Sequence, residues 1–397
     1  MNSAKKRRTL LSLILVYFLV YFAIGAFSTL FGVYLKQEIH LSGTQTGLIL
    51  SIGPIVMLFT QPLWGFLSDY TRKPHLLLML TILITGLLGL LFLFFKLYFL
   101  IFAAACLLAV FQSAIGPLTD SLTLNYTMKN QLNYGRFRLW GAAGFAFAAW
   151  VSGTLAEQFG LKVIFFAFAV SLWMSAIFAW FMPREGDFQR VEVRKGLIKL
   201  MRMPRFLLFL VASFCVMGPL LSHNSYFGLY YQAIGGTVAG VGFCFLLGAG
   251  SEIPIWNAAG KWIEKHGPFL MAICAGLIGA IRWFFFSFDL PLAWVIILTI
   301  TQGLTIGIFY PASLIYIQSV APPEVRTTAV SLNAAMTSGL GNWFFVLIGG
   351  MILDAFDIFA VYRFYSLFTF IGVILIAGLA WTEKKPPSTE IAVNEKS

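Results

Sequence analysis

Long apolar runs separated by short polar links dominate this chain. Runs of about 20 apolar residues match the hydrocarbon thickness of a bilayer. The pattern predicts helices over 10–35, 44–68, 76–95, 98–126, 137–157 and 162–183, then over 206–232, 237–260, 267–288, 291–318, 328–353 and 360–382. Ten or eleven spans with one re-entrant segment is the alternative. The run after Lys5-Lys6-Arg7-Arg8 continues to Leu35, too long for the apolar core of a cleaved leader, and is taken as the first span. One long polar stretch, 184–205, divides the rest. The expected organisation is an N-terminal six-helix bundle (1–183), a central loop (184–205), a C-terminal six-helix bundle (206–382) and a tail (383–397).

The two halves repeat. Phe31-Gly32-Val33-Tyr34 closes the first span, and Phe227-Gly228-Leu229-Tyr230 closes the seventh, 196 residues later. Gly65 and Asp69 end the second span, and Gly260 and Glu264 end the eighth, 195 residues later. Parallel six-span repeats place a solute site near the midplane between the halves. The expected fold is an all-α membrane protein of twelve transmembrane helices in two pseudo-symmetric bundles.

Composition agrees. Of 397 residues, 59% are hydrophobic and 11% charged, against about 25% charged in soluble domains. The net charge of +11 does not point to nucleic acid, because the cations sit in the links. Lys5 to Arg8, Arg72, Lys73, Lys129, Arg136, the 184–205 loop, Lys261, Lys265, Arg326, Lys384 and Lys385 share one side; Lys36, Lys96, Lys162 and Arg363 lie on the other. The basic side is expected to be cytoplasmic, which puts both termini inside a plasma or inner membrane. Within 184–205, Leu197, Leu200 and Met201 among cations read either as a short amphipathic helix on the anionic leaflet or as a solvated linker. The cysteines, Cys106, Cys215, Cys244 and Cys274, lie in apolar runs without metal-ligand spacing and read as buried hydrophobes.

Charges inside spans cost roughly 2.5–3.5 kcal/mol on insertion scales and survive where they meet a partner or a wet cavity. Asp120 shares a helix face with Gln112 and Gly116, beside Pro117. Arg138 shares one with Gly141/Ala142, Phe145 and Ala149. Arg138 could also be an ordinary basic residue at the inner end of its span. His223 could move protons or make a helix–helix hydrogen bond. Glu252 lies mid-span, with Trp256 one turn on. Arg282 could support Glu252 or snorkel outward. Phosphate loops, zinc clusters and nucleophile elbows are lacking, so an enzyme or ATP-driven pump is not expected.

The loop GFLSDYTRKPH (Gly65, Asp69, Arg72, Lys73) resembles the signature loop of the major facilitator superfamily, shortened and without its central glycine. GKWIEKHG (Gly260, Glu264) is its second-half counterpart. The resemblance implies that these residues latch an inner gate. The run Gly135-Arg136-Phe137-Arg138-Leu139-Trp140-Gly141, eighteen residues after Asp120, resembles the lactose permease-type oligosaccharide:proton symporters and the related phenylpropionate permeases. In that family the acid and the arginine bind substrate hydroxyls. The symporters' stacking tryptophan is replaced here by Phe145. Ser222-His223-Asn224-Ser225 resembles the phenylpropionate group. Glu252 and Arg282 match, by place, an acid that links substrate to proton and an arginine that assists it. The symporters' histidine and glutamate on the tenth span are replaced by Gln302 and Thr305, so coupling would fall to Glu252, Asp120 or His223.

The resulting expectation is proton-coupled uptake of a small polar solute, sugar-like or an aromatic acid, by a monomer in the bilayer that needs no cofactor beyond a proton gradient. Asp120, Arg138, Phe145, Gln112, His223, Asn224, Trp256 and Gln302 would contact the solute. Glu252, Arg282 and His223 would couple the proton. The alternatives are drug or metabolite efflux by antiport, and a membrane solute sensor that transports nothing.

Overall fold

A computed structural model describes residues 3–182 and 200–382. Twelve helical stretches follow one another: α1 (Ser3–Gln37), α2 (Gly43–Thr71), α3 (Pro74–Leu91), α4 (Tyr98–Lys129), α5 (Tyr134–Phe159), α6 (Val163–Ala179), α7 (Pro204–Ala233), α8 (Val238–His266), α9 (Pro268–Phe286), α10 (Leu292–Val320), α11 (Thr328–Ala355) and α12 (Ile358–Thr382). Eleven are long and apolar enough to cross a membrane, and α6, with 17 residues, is a shorter apolar helix. The predicted spans agree with them to within several residues. Most of 184–205, including Leu197, and the whole 383–397 tail lie outside the described residues. Leu200 is buried against Phe206, Phe209 and Tyr316, whereas Met201 is exposed.

Two spans depart from simple helices. α10 is interrupted at Thr301, between Leu292–Ile300 and Gln302–Val320. α11 widens to a π-helical stretch over Ala335–Gly341. Both irregularities sit where a backbone meets a neighbour closely. The Ser251 hydroxyl on α8 accepts from the Gly303 amide at 3.1 Å, and a side chain on Gly339 would meet Leu58 of α2 at 3.0 Å. Among the cysteines, Cys215 and Cys244 are buried but Cys274 is exposed; its helix position faces out of the bundle, where a small apolar residue is tolerated.

Within the first six helices, α1 packs on α5 and α6, α3 on α4 and α6, and α2 on α4; in the second six, α12 packs on α7 and α9, and α10 on α8 and α9. Lipid tails are as apolar as leucine, so helices associate through close packing of small residues. A side chain on Gly25 of α1 would lie 2.6 Å from the Phe145 carbonyl of α5, and one on Gly144 would overlap the Phe18 carbonyl.

The two sixes meet along α2–α11, α5–α8 and α1–α7. All three contacts lie toward the face opposite the one carrying the start of α1 and the end of α12. We call these the far face and the terminal face. At the far end a Cβ on Gly47 (α2) would sit 2.8 Å from the Gly350 Cα (α11), and one on Gly153 (α5) 3.3 Å from the Gly242 Cα (α8). Gln37 donates to Gln232 between α1 and α7 at 3.0 Å. Toward the terminal face the seam parts. Gly65 and Gly260 have nothing within 4 Å of a built Cβ, and Phe59, Leu63, Phe66 and Tyr70 on α2 are exposed. The molecule is closed at one face and open at the other.

The contrast predicts a stability difference. Gly144→Ala forces α1 and α5 backbones apart, and overpacking of this kind costs about 1–3 kcal/mol. Its thermal unfolding midpoint in detergent is expected to fall by several degrees, while Gly65→Ala leaves the midpoint unchanged. Equal midpoints for the two variants would contradict the packing.

Candidate functional site: a charged opening between the bundles

The opening is capped by two inter-bundle contacts. Phe145 of α5 meets Phe245 of α8 edge to face, with ring centroids 6.4 Å apart, and Leu58 meets the α11 bulge. α5 runs toward the far face and α8 away from it. Arg138 and Glu252 each lie seven residues from their member of the Phe145–Phe245 pair, roughly 10 Å of helix rise toward the terminal face. They stand at one depth on opposite walls. Arg138 and Ala142 continue the α5 face that carries Phe145, and both are exposed. Glu252, partly exposed, and Trp256, 44% exposed, continue the α8 face that carries Gly242 and Phe245.

On the N-terminal wall Asp120 and Arg138 form an ion pair at 3.4 Å, with side chains 38% and 46% exposed. The Tyr17 hydroxyl donates to Asp120 Oδ1 at 2.6 Å. Arg138 Nη1 donates to the Tyr21 hydroxyl, and its guanidinium lies 4.8 Å from the centre of the Tyr21 ring. Tyr17 and Tyr21 stack, and Tyr134 lies beside Tyr17 and Asp120. Glycine makes room for this: a side chain on Gly141 would meet Tyr21 at 2.8 Å. The carboxylate and guanidinium are thus partnered but incompletely covered, and each keeps a face for a polar solute. Tyr17, Tyr21 and Tyr134 were not among the residues expected from sequence. Their four-residue spacing in the first span, and that of Tyr134 to Arg138, was the available signal.

On the C-terminal wall the Gln302 side chain lies beside Glu252. The break at Thr301 brings Gln302 against α8, where its Oε1 would be 3.3 Å from a Cβ on Gly248. Arg282 is 1% exposed, so it does not snorkel. Its three guanidinium nitrogens have no hydrogen-bond partner among the described residues, and it lies over the Trp283 ring, 4.2 Å from the centroid. His223 bonds the Tyr362 hydroxyl at 2.9 Å and is enclosed by Trp283, Phe227 and Phe286. This is the helix–helix hydrogen bond of the two alternatives. His223 and Arg282 are packed inside the C-terminal bundle and contribute no surface to the opening.

The remaining expected residues are scattered. Gln112 and Asn224 are partly buried. Phe145 forms the roof of the opening rather than its side. Asp69, Arg72 and Lys73, with Glu264, are exposed at the terminal face. Arg72 caps α2 with a left-handed backbone, φ 53°. Among the described residues no group of three or more metal-ligating side chains occurs.

A family model described as the MFS_1 like family matches residues 10–364. The chain is 42% identical over 375 residues to a maltose permease of Geobacillus stearothermophilus, covering 93% of this chain and 94% of that one. It is 26% identical over 236 residues to an Escherichia coli (strain K12) protein described as a probable 3-phenylpropionic acid transporter, covering 57% and 61%. The crystal structure of a mutant of the nucleoside transporter NupG superposes with a TM-score of 0.83 over 93% of this chain and 99% of that one; at 16% identity it shares the fold.

Chemical labelling should separate the two arginines. Under a membrane-permeant dicarbonyl reagent Arg138 is expected to be modified and Arg282 to be spared, as read by peptide mass spectrometry. Tyr21→Phe, which removes the hydroxyl that occupies Nη1, should speed modification of Arg138. Faster labelling of Arg282 than of Arg138 would refute the assigned exposures.

Proposed function

We propose, from the premise that this chain belongs to the MFS_1 like family of transporters, that it imports a sugar of disaccharide size together with a proton. That it is a secondary transporter of the major facilitator type, and a multi-pass membrane protein without enzyme activity, follows from the family and its relatives. The solute, the direction and the coupling ion are the proposal.

The observation that carries the sugar reading is the Asp120–Arg138 pair with its tyrosines. A carboxylate and a guanidinium side by side accept from and donate to neighbouring hydroxyls at once, as vicinal diols require. A carboxylate solute would gain from Arg138 but meet Asp120, which already half-neutralises it. The likeness to a maltose permease supports the same choice and favours an α-linked glucose disaccharide over an aromatic acid. Trp256, exposed one turn beyond Glu252 and against Tyr310 at 5.7 Å, offers the sugar an apolar ring face, the part that Phe145 no longer plays from α5.

Glu252 is the proton site in this reading. Among the described residues it is the one carboxylate of the C-terminal half that is remote from the ends of its helix, and it faces the solute path at the depth of Arg138. Arg282 acts on it through charge from inside the bundle. A carboxyl group that is neutral while the bundles rock and ionised when open to water carries one proton per cycle. One charge across ~100 mV is worth ~2.3 kcal/mol, enough for accumulation on the order of 40-fold at 1.4 kcal/mol per tenfold.

The distribution of cations supports a cytoplasmic terminal face. The open face is then the inner one, and the structure is the state that receives or releases solute inside. Each chain holds both walls of the opening, so the transporting unit is a monomer in the bilayer.

The test is uptake of labelled maltose, with lactose, a nucleoside and phenylpropionate as comparators, into vesicles of purified protein under an inward proton gradient. Maltose is expected to accumulate. Arg138→Ala removes charged hydrogen bonds worth about 1.5–3 kcal/mol and should weaken binding by roughly 10–100-fold. Glu252→Gln should abolish gradient-driven accumulation while leaving exchange of internal for external sugar. Gradient-driven accumulation that survives in Glu252→Gln removes the proton assignment, and accumulation of phenylpropionate in place of maltose removes the sugar.

A further inference from the structure

The far-face seam contains two carboxylates that hold the ends of helices belonging to the opposite bundle. Asp354, in the last turn of α11, accepts from the backbone amides of Gly43 and of Thr44, the latter at 2.7 Å. These are the first two residues of α2. Glu157, in the last turn of α5, accepts from the amide of Ala239, the second residue of α8, at 2.8 Å. The first amides of a helix lack intrahelical acceptors and carry the positive end of its dipole. A carboxylate there makes charge-assisted bonds.

The two contacts are copies of each other. Thr44 and Ala239 are 195 residues apart, as are the N-cap residues Ser42 and Thr237, each accepting from the amide three residues on. Glu157 and Asp354 are 197 apart. So are the residues one and two turns below them: Gly153 and Ala149 on α5, Gly350 and Val346 on α11. The close approach of Gly47 to Gly350 repeats that of Gly242 to Gly153, and the Gln37–Gln232 bond joins positions 195 apart. These intervals lie within two residues of those of the internal repeat. A pseudo-two-fold axis therefore passes through the seam, and the carboxylate caps sit on either side of it. Lys36 lies 4.0 Å from Asp354 as a further cross-bundle contact.

We propose that Asp354 and Glu157 are the paired latch of the outer gate. Each helix start that must swing away when the far face opens is held by a carboxylate anchored in the other bundle. Opening breaks both caps and returns two carboxylates and three amides to water. Glycine packing below the caps lets the backbones come close enough for the carboxylates to reach. The latch is independent of the solute, so it stands or falls apart from the sugar assignment.

Thiol labelling tests it. Val346→Cys, buried on the α11 face that meets α2, is placed in a chain whose Cys106, Cys244 and Cys274 are replaced and whose Cys215, buried inside the C-terminal bundle, is kept. A membrane-impermeant maleimide then labels position 346 at a rate proportional to the time the far face is open. Asp354→Asn and Glu157→Gln are each expected to raise that rate about tenfold, and the double variant about a hundredfold, since separate sites add in free energy. Asp357→Asn is the control, because Asp357 caps Ala360 within one bundle at 2.6 Å; it should leave the rate unchanged. An unchanged rate in the double variant overturns the latch. So does an equal rise in Asp357→Asn, or a matching rise at Cys215, which would mean that the bundle itself has loosened.

Discussion

The structure depends on close backbone approach at one end of a seam between two helix bundles. In hydrocarbon no hydrophobic force drives helix against helix, and association rests on van der Waals contact and polar pairing. Here the approach is supplied by Gly47 and Gly350 on one side of the seam and by Gly153 and Gly242 on the other. Because these contacts are confined to the far face, the bundles diverge toward the terminal face. The divergence exposes the wall residues Arg138 and Trp256. The seam thus creates the opening, and the opening makes intramembrane charge tolerable, since Asp120 and Arg138 find water as well as each other.

The two walls hold charge in different ways. On the N-terminal wall a carboxylate and a guanidinium neutralise each other, with tyrosine hydroxyls filling part of their hydrogen-bonding capacity and the rest left exposed. That arrangement suits a neutral solute with many hydroxyls. On the C-terminal wall the acid faces the opening and the base is sealed behind it. Glu252 lies beside Gln302, while Arg282 is buried over the Trp283 ring with its nitrogens unpartnered among the described residues. A buried cation whose hydrogen bonds are unmade acts on its surroundings through its field. Under the proposed function the first wall binds and the second changes charge state.

Much of this was legible in the sequence because the bilayer is a strict filter. Span length, the loop at 184–205 and the repeat of Phe31-Gly32 in Phe227-Gly228 point to the helices and to their division into two repeated halves. Asp120 and Arg138 stood out because a charge within a span needs a reason. The tyrosines did not, since aromatic residues in a span read equally as packing or as interface anchors. His223 and Arg282 stood out too, but sequence could not say whether their helix faces look into the bundle or the opening; the aromatic shell of Trp283, Phe286 and Tyr362 decides that. The break at Thr301 carries no proline to announce it, so the placement of Gln302 against Glu252 was invisible. Glu157 and Asp354 were hidden for the opposite reason: an acid in the last turn of a spanning helix is unremarkable where water is near.

Those two acids show what duplication preserved and what it let go. Around the seam the halves remain copies: caps, glycines and the glutamine pair recur at nearly one interval. At the depth of the opening the copies have parted. The N-terminal wall carries Asp120 and Arg138, and the C-terminal wall Glu252 with a buried Arg282. Motion explains the difference. Two bundles that rock about a shared axis need matching surfaces where they grip, because a mismatch on one side would tilt the closure and leave a leak. A solute held between them has no such symmetry, and a proton needs only one site. Symmetry is therefore retained where the bundles touch each other and lost along the walls of the opening, where the proposed cargo would sit.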